Sequence, residues 1–513
     1  MSKSPKTAAV IDIGSNEMRL HIAQSGKING FIKYLERLSY PLSLGRDTFH
    51  GGKLSFEKVD KACEVINNFK QAALSYGVSQ IRTVASTAVR EAKNKDYIID
   101  QIKIKTGVDV EVINDNDEKL RIYKLLAIHA EEQLKESTLL VYIGTGSIGV
   151  SLFTDGRMPR TWNIRAGSLR MGELFGDLQE YTKDFYKLME EYLATYTYKL
   201  REDLPESINH FIVSGPEVEV MARLVGVENL YSTPLFEISR QTFTSLYEKI
   251  KRKSTDKIAT DYNLNIDKAD SLLPAVCTFK DVFGQTNAKS ITATCLLPSD
   301  AALYELLHPK QFASADKRFE KGAVQSARAL CKRHNVNLKH GELVRDFALK
   351  IFDKLRKLHG LGARDKLLLT LASLLHDIGA CVNTLDHHLI SYQIIRHADF
   401  VGLIGNEQEI IALICRYHSS NMPKLSESRY ANLDPESKVR VSKLAAMLRL
   451  SDALDRSHTQ KYDSIETKIT DNALIVTVTT DKDISLEKWS FAKKGRFFAE
   501  VFGLKAELKV KKP

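Results

Sequence analysis

Ala8-Ala-Val-Ile-Asp-Ile-Gly-Ser-Asn16 is an apolar run that acquires one acid and then breaks on a glycine. Residues 8–13 read as a buried strand, Gly14-Ser15-Asn16 as a tight turn, and Met18 to Ala23 as the returning strand. The same pattern recurs further along the chain. Leu139-Leu-Val-Tyr-Ile143 is a strand, Gly144-Thr-Gly-Ser147 a loop, and Gly149 to Phe153 the return. Laid over one another, Asp12 falls on Tyr142, an offset of 130 residues. Two similar hairpins that far apart predict two domains of one fold, facing each other across a cleft.

The segments around the hairpins extend this reading. Val59, Ala62, Val65, Ile66, Phe69, Ala72 and Ala73 recur at helical spacing over 57–76, and Gly77 stands where a helix C-cap belongs. Strands are expected at 81–85 and 108–113, with a helix over 97–105 that ends near Gly107. Such alternation means an α/β domain. A third loop, Val213-Ser-Gly-Pro216, follows a strand-like run. From about 235 to 360 the period is mostly helical, and 340–358 places His340, Val344, Phe347, Ile351, Leu355 and Leu358 on one face. Helices are expected over 364–378, 390–417 and 436–455, and alternation returns after 465 with a strand at 473–479.

The chain has 513 residues, which at roughly 150 per domain predicts about three or four domains. The expected boundaries are 1–130, 131–310, 311–460 and 461–513. A composition of 43% hydrophobic and 27% charged residues excludes a wholly disordered chain. The net charge of +10 favours a polyanionic partner. Cys63, Cys277, Cys295, Cys331, Cys381 and Cys415 form no C-x-x-C pair, which excludes a zinc ribbon or redox motif. Cys63, Cys381 and Cys415 lie among apolar residues and are expected in the core. The stretch Met1 to Lys6 is short and polar and lacks a signal peptide's apolar region, and no apolar run reaches the ~20 residues of a membrane span. The expected setting is a reducing cytoplasm, with no membrane partner and no specific nucleic acid.

The chemistry sits in the loops. Gly14 permits close backbone approach, and the amides and side chains of Ser15 and Asn16 suit a phosphate. Asp12 suits Mg²⁺, a hard cation that takes carboxylate oxygen. Gly144, Thr145, Gly146 and Ser147, with Gly215 of the third loop, offer a second phosphate grip, and Arg90 a bidentate donor. Downstream, His340, His376-Asp377 and Asp452 appear in the order H…HD…D, a donor set suited to Mn²⁺, Fe²⁺, Mg²⁺ or Zn²⁺. His387, His388 and His418 are candidates to complete a two-metal centre.

Val10-Ile-Asp-Ile-Gly-Ser-Asn16, Ser86-Thr-Ala-Val-Arg-Glu-Ala-Lys-Asn94 and Thr106-Gly-Val-Asp-Val-Glu-Val-Ile113 resemble the exopolyphosphatase / guanosine pentaphosphate phosphohydrolase (Ppx/GppA) family. The resemblance continues through Ala372–Gly379, Asp386–Tyr392, Arg416–His418, Leu448–Arg456, Leu486–Trp489 and Phe498–Gly503, in the order of the family's long members. It implies two actin-like (ASKHA, ribonuclease-H-like) domains, then an all-α HD-type domain and a small α+β C-terminal domain. It implies hydrolysis of a terminal phosphoanhydride of polyphosphate or a guanosine penta/tetraphosphate, with Mg²⁺ or Mn²⁺, in a homodimer. By the same resemblance Glu118 orients the attacking water, with Asp117 a weaker stand-in. The chain departs from the family at the second loop. Where the family carries Asp-Ile-Gly-Gly-Gly-Ser-Thr-Glu, Tyr142 and Gly149 stand at the two acid positions. Glu17 stands at the family's serine in the first loop, and Asp115 at a family glycine. These departures raise two other readings: hydrolysis in the HD-type domain, or silent binding of polyphosphate or alarmone nucleotides. Basic stretches at 249–253 and 493–496 are candidates to line the path of a long anion.

Overall fold

The computed structural model describes residues 6–26, 32–78, 80–179, 182, 184–228, 230, 233–400, 402–419 and 422–512. Met1–Pro5 of the polar amino-terminal stretch lie outside the described residues. The chain forms two compact units, Met1–Phe319 and Glu320–Pro513.

The amino-terminal unit is built on two sheets. The first contains β1 (Thr7–Ile13), β2 (Glu17–Ser25), β3 (Ile32–Pro41), β4 (Gln80–Ala85) and β5 (Val110–Val112), in the order β3-β2-β1-β4-β5. The second contains β6 (Thr138–Ile143), β7 (Ile148–Thr154), β8 (Arg157–Ile164), β9 (His210–Ser214), β10 (Phe236–Ser239) and β11 (Ser290–Thr294), in the order β10-β11-β9-β6-β7-β8. Without β10, the second order repeats the first strand for strand. In each sheet the opening hairpin is antiparallel, and its first strand then pairs in parallel with the next strand of the sheet, β1 with β4 and β6 with β9. The paired hairpins expected from the repeat are therefore present in one topology.

Burial on both faces explains why β1 reads as a continuous apolar run. Ala9, Ile11 and Ile13 pack into a core with Val59, Ile66 and Phe69 of the helix Phe56–Ser75. Ala8 and Val10 pack with Ala302, Leu303 and Leu307 of the helix Pro298–Leu307. Strand alternation puts Asp12 on this second face, at the strand end.

In the carboxy-terminal unit the helices Leu338–Lys354, Ala363–Leu375, His387–His397, Glu407–Tyr417 and Pro435–Leu454 share one core with a small sheet. That sheet is β12 (Ser464–Ile469), β13 (Ala473–Thr479) and β14 (Lys505–Lys511), and the helix Ser485–Phe502 connects its last two strands. Among the described residues no helix is long and apolar enough to cross a membrane.

Two local expectations, at Leu358 and Cys381, need correction. The stretch from 235 to 360 is mostly helical, as expected, and β10 and β11 interrupt it. β11 is Ser-Ile-Thr-Ala-Thr, too short and polar to show a period, and burial beside β9 makes it a strand. The helices expected through 390–417 are His387–His397 and Glu407–Tyr417, and between them Gly402 and Gly405 take positive φ (92° and 53°). Leu358 lies beyond the end of the helix Leu338–Lys354 and is exposed. Cys63 and Cys415 are buried, but Cys381 is exposed, on a 3₁₀ turn that ends the apolar segment.

Candidate functional site

Two places concentrate chemistry. The first is a cavity of about 780 Å³, solvent at its mouth included, lined by both hairpin loops. Ser15 and Thr145 sit 130 residues apart at equivalent positions of the two loops, and their hydroxyls lie 3.2 Å from each other. Asp12, Gly14, Asn16 and Glu118 also line this cavity. At Gly14 a Cβ would come within 2.7 Å of the Glu17 carbonyl oxygen, so the turn needs glycine. Glu118 enters from the first turn of the helix Asp115–His129. Asn114 caps that helix by accepting from the Asp117 amide (2.9 Å), and Asp117 accepts from the Asn114 amide in return. Asp117 is therefore committed to the cap, and Glu118 faces the cavity. Burial pushes Glu118 up to about 7 against the pull of Arg90, and neighbouring Asp115 adds to the rise.

Arg90, Gly144, Gly146, Ser147 and Gly215 are not among the residues lining the cavity. Arg90 is engaged from several sides. It donates to the Ile113 carbonyl (2.8 Å) and Thr87 Oγ1 (3.0 Å), pairs with Asp115, and reaches Glu118 Oε1 at 3.3 Å. Gly215 has φ 149°, and a Cβ there would lie 2.4 Å from the Ile143 carbonyl oxygen. Its role is to let β9 turn into the helix Pro216–Leu224 against the end of β6.

Three cavity groups were not anticipated from the sequence. Arg19 lies opposite Asp12 in the β1–β2 register and donates to Glu17 Oε1 (2.9 Å), with its Nη1 3.7 Å from Asp12. Counting cross-strand positions in the hairpin would have found it. Lys268, from the helix Ile266–Phe283, reaches Glu17 Oε2 at 3.3 Å. Burial opposes ionisation of Glu17, yet these two cations outweigh it and lower its pKa. Glu217 lies buried at the first turn of the helix Pro216–Leu224 and accepts from Ser168 Oγ at 2.5 Å. Neither Lys268 nor Glu217 carries a local sequence signal.

The second place lies in the carboxy-terminal unit, where helix ends converge. His340 comes from the first turn of Leu338–Lys354, His376-Asp377 follow Ala363–Leu375, His387 opens its helix, His418 caps Glu407–Tyr417, and Asp452 ends Pro435–Leu454. Asp377 Oδ1 lies 3.5 Å from His376 Nε2, 3.4 Å from His387 Nε2 and 3.5 Å from His418 Nε2. Asp452 Oδ1 lies 3.4 Å from His340 Nε2 and 3.7 Å from His376 Nε2. His388 instead turns its ring edge-on to His387, 5.7 Å between centroids. Burial works against a charged His340, but Asp452 and Asp455 outweigh it and hold the ring at about 9. Burial lowers His418 to about 4. His458, which no sequence pattern flagged, stacks on His340 with ring centroids 3.7 Å apart. Of the two basic stretches, Lys253 pairs with Asp261 at 2.6 Å, and Lys494 is buried against Asp452 rather than lining a path.

A model of the Ppx/GppA phosphatase family matches residues 22–303, more than half of the chain. The chain belongs to the Ppx/GppA family. A second family model, Ppx/GppA phosphatase domain III, matches residues 324–492. The guanosine-5'-triphosphate,3'-diphosphate pyrophosphatase of Photobacterium profundum is 20% identical over 483 residues, 92% of this chain and 91% of its own. Exopolyphosphatase 1 of Mycobacterium bovis is 26% identical over 167 residues, 30% of this chain, and the match spans about half (48%) of that relative. Among solved structures, an exopolyphosphatase from Cytophaga hutchinsonii superposes with TM-score 0.52 at 19% identity, over 59% of this chain and 98% of its own. The Ppx/GppA member from Aquifex aeolicus gives TM-score 0.50 at 19% identity, over 60% of this chain and 99% of its own. The family's actin-like pair of mixed α/β domains is thus the fold of the matched region.

In this Ppx/GppA chain the two replaced acid positions are direct cross-strand partners, Tyr142 opposite Gly149. Tyr142 is buried and lines the cavity. At Gly149 a Cβ would meet Lys119 Cδ at 2.9 Å and Tyr123 Oη at 3.0 Å, so a lysine stem fills the place an acid side chain would need. Among the described residues, no group of the cleft could hold a metal with three ligand atoms, whereas three overlapping histidine–aspartate groups in the carboxy-terminal unit could, two of them through Asp377 and one through Asp452. Asp12 and Glu118 are cleft carboxylates that could hold a divalent cation in company with substrate phosphate. The histidine cluster fits a resident transition metal.

Proposed function

We propose that the cleft between the two hairpins binds the tail of a phosphate chain, inorganic polyphosphate or a guanosine penta/tetraphosphate, and hydrolyses its terminal phosphoanhydride. The observation that carries this reading is Glu118, buried in the cavity wall beside opposed loops and titrating at about 7. An ionised Glu118 takes a proton from water as the water oxygen attacks the terminal phosphorus, and the anhydride P–O bond breaks toward the rest of the chain. Gly14, Ser15, Asn16 and Thr145 bring backbone close to the phosphates. Arg19 and Lys268, which flank Glu17 in the cavity wall, supply positive charge for the phosphate oxygens. Asp12 is the residue to hold Mg²⁺ or Mn²⁺, which when bound supplies further neutralisation of the phosphate oxygens. The names of the relatives, an exopolyphosphatase and a guanosine-5'-triphosphate,3'-diphosphate pyrophosphatase, support the substrate class. We place the protein in the cytoplasm as a homodimer. The test is phosphate release from both substrates by wild type, Glu118→Gln and Asp377→Ala. Loss of release in the first variant alone supports the cleft, and loss in the second alone sinks it. Binding of either substrate without release by wild type supports a silent binding protein.

A second reading puts hydrolysis in an HD-type domain spanning 311–460, followed by the small domain 461–513. The convergence of four imidazole Nε2 atoms and two carboxylates favours it. In that reading His340, His376, Asp377 and Asp452 hold a metal that lowers the pKa of bound water.

A further inference from the structure

The charges lining the cleft are a poor match for an anion. Among the described residues of its wall four are acids, Asp12, Glu17, Glu118 and Glu217, and two are cations, Arg19 and Lys268. Both cations are bound to one carboxylate. Arg19 donates from Nε and Nη2 to Glu17 Oε1 at 2.9 and 2.5 Å, and Lys268 Nζ lies 3.3 Å from Glu17 Oε2. A phosphoryl group would engage the same pair in the same way, with two oxygens of one group shared between a guanidinium and an ammonium. The hairpin itself puts Glu17 there. It is the first residue of β2, and its carbonyl oxygen lies 2.7 Å from where a Gly14 Cβ would stand. Arg19 follows two residues later on the same side of the strand, its Nη1 4.0 Å from that point. The clasped carboxylate and guanidinium therefore lie beside the turn whose amides suit phosphate. Lys268 reaches in from a helix far along the chain. Its side chain is 36% exposed against 9% for Glu17, so its flexible stem has room to change partner.

We propose that Glu17 is a built-in competitor of the substrate: its carboxylate occupies Arg19 and Lys268 in the manner of a phosphate group, and a phosphate chain binds by displacing it. The inference rests on the cleft reading and names how that site is regulated. On binding, Arg19 and Lys268 exchange a singly charged partner for phosphate oxygens, and Glu17 gives up its contacts with them. Every anion that reaches the two cations loses the same amount to this exchange. A chain of several phosphates offsets the loss at Gly14, Ser15, Asn16 and Thr145, which line the same cavity. A single orthophosphate, the product of hydrolysis, has fewer contacts with which to do so. Glu17 therefore sets a minimum size for a bound anion and favours departure of the product.

The test is equilibrium binding of imidotriphosphate, whose P–N–P links resist hydrolysis, to the full chain by titration calorimetry at constant Mg²⁺ and ionic strength. Glu17→Gln keeps the side chain's shape and removes its charge. It should bind about tenfold tighter than wild type, the equivalent of one charge-assisted hydrogen bond that no longer has to be broken. Glu17→Asp keeps the charge but withdraws the carboxylate by about 1.5 Å, one carbon–carbon bond, and should also bind tighter than wild type. Circular dichroism of both variants should stay that of wild type. A gain in Glu17→Gln with none in Glu17→Asp is plain charge repulsion and overturns the competitor. Unchanged or weaker binding in Glu17→Gln overturns it too, because Glu17 then serves to position Arg19 and Lys268. Both of these results leave the cleft reading standing. Binding by none of the three proteins sinks the cleft reading and the competitor together.

Discussion

A carboxyl group buried beside a guanidinium can be pushed either way, and at Glu118 burial wins. Its pKa of about 7, against an ordinary 4.5, sets two outcomes. Phosphate release should rise through about pH 7 as Glu118 ionises, and Glu118→Gln should lose about 10²- to 10⁴-fold in kcat. The stability sign is the reverse. The folded state holds this proton more tightly than the unfolded chain, so the contribution is complete below pH 4.5 and is lost as pH rises through about 7. Glu118→Gln should therefore melt higher than wild type at pH 8 and gain nothing at pH 4, which calorimetry at the two pH values checks. Gly149 makes a second residue-scale prediction. Restoring an acid with Gly149→Glu drives a Cβ to 2.9 Å from Lys119 Cδ and 3.0 Å from Tyr123 Oη, so urea unfolding should show a loss of about 1–3 kcal/mol. Reading the sequence alone marks the missing acid; it does not show that a lysine has moved into its place.

At the scale of elements, the catalytic candidate depends on a helix start. Asn114 and Asp117 close a reciprocal cap on the helix Asp115–His129, and Glu118 lies in the same turn. Asn114→Ala should cost about 1 kcal/mol in thermal or denaturant unfolding. Release should fall with it, more in kcat than in KM, because the fraying turn carries the group that orients water. The third loop depends on Gly215, whose φ of 149° and ψ of 166° lie in a region open almost only to glycine. The hairpins β1–β2 and β6–β7 were legible because each is made by residues next to one another in the chain, apolar run, glycine turn, apolar run. β11 was not, because what makes Ser290–Thr294 a strand is its neighbour β9, some eighty residues earlier in the chain. The same holds for Arg90. It reads as a free phosphate donor on a helix, yet Asp115 and Glu118 arrive from another helix to bind it.

At the scale of the molecule, the chain carries two chemically distinct centres in two compact units. A ligand that binds only folded protein stabilises the unit that holds it. Chelation should therefore lower the melting of Glu320–Pro513 and leave that of Met1–Phe319 in place, which scanning calorimetry with and without chelator resolves. A phosphate chain should do the converse, raising the transition of the amino-terminal unit.

The order of residues alone settled the repeated hairpin, its 130-residue offset, the family and the histidine–aspartate series, because each is written in local pattern or spacing. Tertiary structure alone decided that Ser15 meets Thr145, that Lys268 and Glu217 join the cleft, and that His458 lies over His340. Those contacts join residues far apart in the chain, and side-chain burial and strand pairing, not neighbouring sequence, bring them within a few ångströms.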